Sequence, residues 1–293
     1  MHQHTLRAAC HIYGKGIHTG ADTQITLLPA PPDTGVVFRL LRDGREQEFP
    51  ALAEYVTSTT LSTTLGMDGM EVCTVEHLLS ALAGLEVDNV YVVATGPEIP
   101  VMDGSSQPFV TRIMEVGRRL QPVPRKYIKI LEPVVVVEGD RSAGLFPAMT
   151  TSYAFRIDFD NPAIQTQSLK VRLTPHTYVA QLAKARTFGF LEDLQKLQAK
   201  GLAMGAGLHN AVALDTKGNV HNAEGLRYAD EFVRHKLLDA IGDLSLAGYP
   251  IIGEYRGDKS GHQLNHQLVK ALAEHPENWE IVSTGIETAA QAV

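Results

Sequence analysis

Between Glu231 and Leu246 the chain reads Glu-Phe-Val-Arg-His-Lys-Leu-Leu-Asp-Ala-Ile-Gly-Asp-Leu-Ser-Leu, a helical pattern that leaves little surface for water. Val233, Leu237, Ala240, Ile241 and Leu244 make one broad apolar face at helical spacing. His235, Asp239 and Asp243 follow one another at i, i+4 and i+8, a row that drifts slowly around the helix, with Phe232 and Leu246 alongside. A buried carboxylate costs several kcal/mol unless it is paired or bound to metal, and a second one beside it adds to the cost. A divalent cation would relieve both. A solvated helix face with a His-Asp pair is the plainer alternative.

Two other segments carry matching chemistry. Cys73 to Gly84 predicts a short helix with Thr74 as its N-cap and Gly84 as its stop, placing Glu76 and His77 in the first turn. The positive end of a helix favours a neutral imidazole and an ionised carboxylate, the forms that ligate metal and accept a proton. Catalytic zinc takes three protein ligands, leaves one position for water and uses a nearby carboxylate as base. His77, His235 and Asp239 would supply the ligands and Glu76 the base. Ordinary polarity of a helix start explains Glu76-His77 equally well. The third segment, Lys259 to His266, is a glycine-containing loop that places His262 just before a helix pattern over Leu264 to Ala273. From there His262 can reach a cleft; two surface histidines are the plain alternative.

The 293 residues, 44% hydrophobic and 20% charged, have room for one large or two medium domains. Gln121-Pro-Val-Pro-Arg-Lys126 favours extended chain and forbids a regular helix, so the boundary is placed there, giving domains 1–122 and 123–293. Strands are expected at Gln24 to Leu28, Val36 to Leu41, Asn89 to Ala94, Tyr127 to Val137 and Ser152 to Phe159. Helices are expected at Val75 to Ala83, Phe109 to Arg118, Tyr178 to Ala185, Leu191 to Ala199, Glu231 to Leu246 and Leu264 to Ala273. Strands and helices in both halves give an α+β class with two similar sheet-and-helix layers. A net charge of -7 offers no footprint for nucleic acid, which is not expected as a partner. The start lacks a signal pattern and no apolar run could span a bilayer, so a cytoplasmic protein without a transmembrane segment is expected. Cys10 and Cys73 alone exclude a disulfide framework and a four-cysteine metal site, leaving nitrogen and oxygen to hold any metal.

Thr74-Val-Glu-His-Leu-Leu-Ser-Ala-Leu-Ala-Gly84, Asp88-Asn-Val90, Pro97-Glu-Ile-Pro-Val-Met-Asp-Gly-Ser105, Ala185-Arg-Thr-Phe-Gly-Phe190 and Arg234-His-Lys-Leu-Leu-Asp-Ala-Ile-Gly-Asp243 resemble signature segments of the UDP-3-O-acyl-N-acetylglucosamine deacetylases. So do Gly14-Lys-Gly-Ile-His-Thr-Gly20 and Gly261-His-Gln-Leu-Asn265. The likeness runs from about residue 5 to about residue 280 with the blocks in the family's order, far more specific than one H-x-x-x-D. It implies a cytoplasmic, monomeric zinc amidase with its active site between two similar domains, Fe2+ being able to replace Zn2+ in the cell. The implied reaction removes acetate from the 2-amino group of a UDP-linked, 3-O-acylated N-acetylglucosamine, the committed step of lipid A biosynthesis in Gram-negative bacteria.

The resemblance places zinc ligands on His77, His235 and Asp239, the general base on Glu76 and a protonated histidine on His262. Lys236 and Thr187 match groups that stabilise developing negative charge, and Asp243 a carboxylate that orients His262. An apolar passage for the acyl chain is implied between Phe188 and the region of Leu191, Leu194, Leu202 and Ala203. Phe188 would contact the sugar or the acyl root, and Phe159 and Asp193 the nucleotide end. Read from its pattern alone, the 191–199 stretch is an amphipathic core helix. The chain departs from the family at Gly205-Ala-Gly-Leu-His-Asn210, with Gly207 where serine and His209 where an acid are common, which bears on acyl-chain preference. Thr57-Ser-Thr-Thr-Leu-Ser-Thr-Thr64 lacks a cysteine found in some members and is assigned no metal role. The competing readings are a zinc hydrolase for a different amide or amino sugar, and a silent protein that binds an acylated ligand. A binder would need neither Glu76 nor His262. The small apolar end, Ile286 to Val293, could be a tail read by a protease.

Overall fold

A computed structural model describes residues 1–283, so the expected tail at Ile286 to Val293 lies outside the described residues. Two five-stranded sheets share one strand order. The first runs Cys10–Lys15, Asp22–Pro29, Val90–Ala94, Val36–Arg42, Arg45–Pro50, and the second Val134–Glu138, Arg141–Phe146, Glu254–Asp258, Ser152–Phe159, Gln165–Arg172. In each, the central strand comes last in the chain, antiparallel to one neighbour and parallel to the other. Val92 sits between Leu27 and Phe38, as Tyr255 sits between Leu145 and Tyr153. Parallel pairing requires a crossover, and helices occupy both crossovers.

Six α-helices lie among the described residues: α1 (Glu76–Gly84), α2 (Gln107–Val116), α3 (Pro175–Gln181), α4 (Leu191–Gln198), α5 (Glu231–Leu244) and α6 (His262–Glu274). The first crossover carries α1; the second carries α3, α4 and α5. Helix α5 packs on the strands Ser152–Phe159 and Gln165–Arg172, α6 on Val134–Glu138 and Arg141–Phe146, and α1 against α5. One apolar core takes residues from both sheets and from α1, α5 and α6. Enclosure on several sides explains why every residue of α5 except Arg234 and Lys236 is buried. The α+β class and the two similar layers are as expected.

The Arg118–Pro124 segment is extended, as its prolines favour, and among the described residues pairs only with His2–Leu6, a ribbon in which missing N–H donors are tolerated. Several local expectations differ. The single strand over Tyr127 to Val137 is two, Lys126–Ile130 and Val134–Glu138, in different sheets. The chain turns before Pro133, where the N–H groups of Leu131 and Glu132 both donate to the Asn278 carbonyl. Helix α3 begins earlier than Tyr178 because Thr174 forms a capping box with Thr177 ahead of Pro175. None of the residues of α4 is buried, so it is a flank rather than a core helix. No described helix is long and apolar enough to cross a membrane.

Candidate metal centre and active site

The start of α1 is not built by an N-cap side chain. Thr74 adopts φ +60° and donates its hydroxyl to Glu98 Oε1 at 2.8 Å, while the capping residue is Val75, whose N–H donates to the Thr63 carbonyl at 3.2 Å. Glu76 and His77 nevertheless occupy the first turn. Gly84 is the last residue of α1 and is required by space rather than backbone freedom: a Cβ there would lie 2.3 Å from the Tyr178 ring.

The contact of α1 with α5 brings His77, His235 and Asp239 together, all buried, with one ligand atom from each lying within 4.8 Å of the others. Asp239 Oδ1 is 3.3 Å from His235 Nε2 and 3.5 Å from His77 Nε2. His235 Nδ1 lies 3.1 Å from the Ala185 carbonyl, a contact that fixes its ring and aims Nε2 at the cluster. Asp239 Oδ2 accepts from Lys236 Nζ at 2.7 Å, whereas buried Oδ1 has no hydrogen-bond partner among the described residues.

The charges fit a cation. Burial pushes His235 down to about 3, leaving it neutral as a ligand must be. Burial also opposes the charge on Asp239, but the neighbouring cations hold it well below the usual carboxylate range. Burial works against a charged His77 as well, yet Asp239 and Glu76 raise it. The donor set is two nitrogens and a carboxylate oxygen, and Cys73 offers no thiolate because burial pushes its thiol up to about 12.

The remaining site residues surround this cluster. Glu76, raised by burial, accepts at Oε2 from the Thr63 N–H at 3.0 Å, and its Oε1 lies 3.8 Å from His262 Nε2. His262 is the first residue of α6 rather than part of the preceding loop, and its Nδ1 lies 2.9 Å from Asp243 Oδ2. Burial opposes its charge, but Asp243 and Glu76 push it up to about 9. Burial likewise opposes Lys236, and Asp239 raises it. Thr187 is tied through its N–H to the Gly104 carbonyl at 2.8 Å, a close approach that needs glycine: φ is +83° and a Cβ would meet the Asn210 carbonyl oxygen at 2.0 Å.

All of these groups except Asp243 line a cavity of about 390 Å³ whose remaining walls are mostly apolar. Phe159, Phe188, Leu191, Leu194 and Ala203 line it; Asp193 and Leu202 do not, and Asp193 pairs with Lys196 on the surface. Gly207 and Leu208 also line it, while His209 is exposed beside Asn210. The sequence reading passed over four residues. His18 lines the same cavity; Glu98, fully buried, accepts from the backbone of His18 and Thr19 and from two threonine hydroxyls; Thr63 and Asn265 both donate to Asp243. Glu98 could have been noticed as a carboxylate leading into the apolar run Ile99 to Val101. Thr63 carries no local signal.

A His-His-Asp donor set with a buried carboxylate and a charged imidazole at the mouth of an apolar cavity is the equipment of a metal-dependent hydrolase. The chain belongs to the UDP-3-O-acyl N-acetylglycosamine deacetylase family, whose model matches residues 3–274. It is 47% identical over 280 residues to the UDP-3-O-acyl-N-acetylglucosamine deacetylase of Myxococcus xanthus, covering 96% of this chain and 89% of that protein. The proteins of the same name from Pseudomonas entomophila and Syntrophus aciditrophicus are each 46% identical, over 282 and 281 residues, covering 96% of this chain and 93% and 89% of their own.

Proposed function

We propose that this chain hydrolyses the N-acetyl group of UDP-3-O-acyl-N-acetylglucosamine to UDP-3-O-acyl-glucosamine and acetate, the committed step of lipid A biosynthesis, in the cytoplasm and as a monomer. The observation that carries the reading is the placement of His77, His235 and Asp239, with Glu76 and His262, at the polar end of an apolar cavity. In this reading residues 1–122 bring Glu76 and His77, and residues 123–293 the other ligands and the acyl passage; the shared strand order of the two sheets supports that division.

His77, His235 and Asp239 would hold the cation, Zn2+ in this proposal, with Fe2+ as a cellular substitute. When bound, such an ion polarises an amide carbonyl and brings the pKa of water toward neutrality. Glu76 accepts the proton of the attacking water, and its burial favours the protonated form that must exist in mid-reaction. The negative charge that develops on the amide oxygen is met by Lys236, the Thr187 hydroxyl and charged His262. His262, held by Asp243, then donates its Nε2 proton to the departing amine. The apolar walls, including Phe188, Leu194 and Ala203, take the acyl chain and exclude water. Phe159, edge-on to Phe188 at 5.8 Å, is proposed to serve the nucleotide end. Acetate release from the nucleotide-linked substrate, abolished by a chelator and restored by zinc, is the expected result. No release from folded, zinc-loaded protein would overturn the reading.

A further inference from the structure

Thr63 lies in the threonine- and serine-rich run, between the strands Val56–Ser58 and Thr64–Met67, and is 2% exposed. All its polar groups are engaged across the junction of α1 and α5. Its N–H donates to Glu76 Oε2 at 3.0 Å, its hydroxyl donates to Asp243 Oδ1 at 2.6 Å, and its carbonyl accepts from the N–H of Val75, the cap of α1, at 3.2 Å. We infer that Thr63 is a positioning residue that holds the carboxylates of Glu76 and Asp243 in register, and through them the ring of His262.

The argument is geometric. Among the described residues the Thr63 hydroxyl is the one hydrogen-bond donor to Asp243 Oδ1, while Oδ2 is approached by His262 Nδ1 at 2.9 Å and Asn265 Nδ2 at 2.8 Å. A carboxylate is planar, so anchoring one oxygen sets the direction of the other. His262 Nε2 faces Glu76 Oε1 at 3.8 Å, and Glu76 returns to Thr63 through Oε2. Thr63, Asp243, His262 and Glu76 therefore form a closed ring, in which Thr63 is the member that carries no charge. Valine would preserve volume but strand Asp243 Oδ1 in the interior; serine would preserve the donor.

The inference rests on the deacetylase reading for its kinetic test but not for its geometry. In zinc-loaded protein, Thr63→Val is expected to lower kcat roughly 10- to 100-fold, with KM and bound zinc near wild type. It is also expected to shift or erase the NMR signal of the His262 Nδ1 proton. Thr63→Ser should stay within about threefold of wild type, since it keeps the hydrogen bond. Wild-type kcat with an unmoved His262 signal in Thr63→Val would overturn the inference, as would a serine variant as impaired as the valine one. Thr63→Ala replaces Thr63→Val if the latter does not fold. Should wild-type protein release no acetate, the deacetylase reading fails, and the His262 signal of the variants still decides the role of Thr63.

Discussion

At the residue scale the proposed mechanism separates holding a cation from moving protons. In it Asp239 Oδ1, buried with no hydrogen-bond partner among the described residues, and neutral His235 serve the first task; Glu76 and His262 the second. Glu76→Gln should therefore retain bound metal, measured by elemental analysis, and lose about 10²- to 10⁴-fold in kcat for acetate release. His235→Ala should fail the elemental analysis itself. His262 gives a pH signature. Its folded-state pKa is raised from 6.5 to about 9 because Asp243 and Glu76 outweigh its burial. Its charge thus stabilises the fold fully below 6.5, and that contribution is lost as pH rises toward about 9. Thermal melts of chelator-treated protein should show wild type losing its advantage over His262→Gln across that window; parallel curves would refute the assignment. The row of His235, Asp239 and Asp243 was legible from type and spacing, since i, i+4 and i+8 positions share a helix face, whereas the role of His262 came only with the family resemblance. Thr63 was not, because one threonine in a run of them says nothing about what lies opposite.

At the scale of elements, α1 and α5 matter through how closely they approach. Gly242 faces the backbone of Glu76, and a Cβ there would come within 2.1 Å of its carbonyl oxygen. Gly242→Ala must push α1 from α5, costing roughly 1–3 kcal/mol in urea unfolding and lowering kcat with it. Wild-type values in both measurements would show that the contact yields freely. Helix α5 was legible because its apolar pattern exceeds what one face needs. The start of α1 was misread for a physical reason: Thr74 has the side chain of an N-cap, but Glu98 captures its hydroxyl from 24 positions away. Likewise Gly84 looks like a helix stop, and the tight fit of Tyr178 is what requires it.

For the whole molecule, a cation held, as proposed, by His77 from one half and by His235 and Asp239 from the other would tie the two layers together. An ion that binds only the folded chain adds about 4 kcal/mol when free ion exceeds its dissociation constant about 1,000-fold. Calorimetry should show the melting temperature rising with added Zn2+ and falling with chelator, whereas His235→Ala should respond to neither. By itself the sequence determined the α+β class, the helix that carries two of the proposed ligands and the further carboxylate Asp243, the first-turn placement of Glu76 and His77, and the nitrogen-oxygen character of any metal site. Those features depend on residues within a turn or two of each other, where periodicity and composition act directly. Only the tertiary structure decided that Thr63 meets Asp243 180 positions away, that Glu98 anchors the start of α1, and that Asp193 stands outside the cavity. Such contacts depend on how two sheets and their helices settle against each other, and the packing of distant surfaces leaves no period in the chain to read.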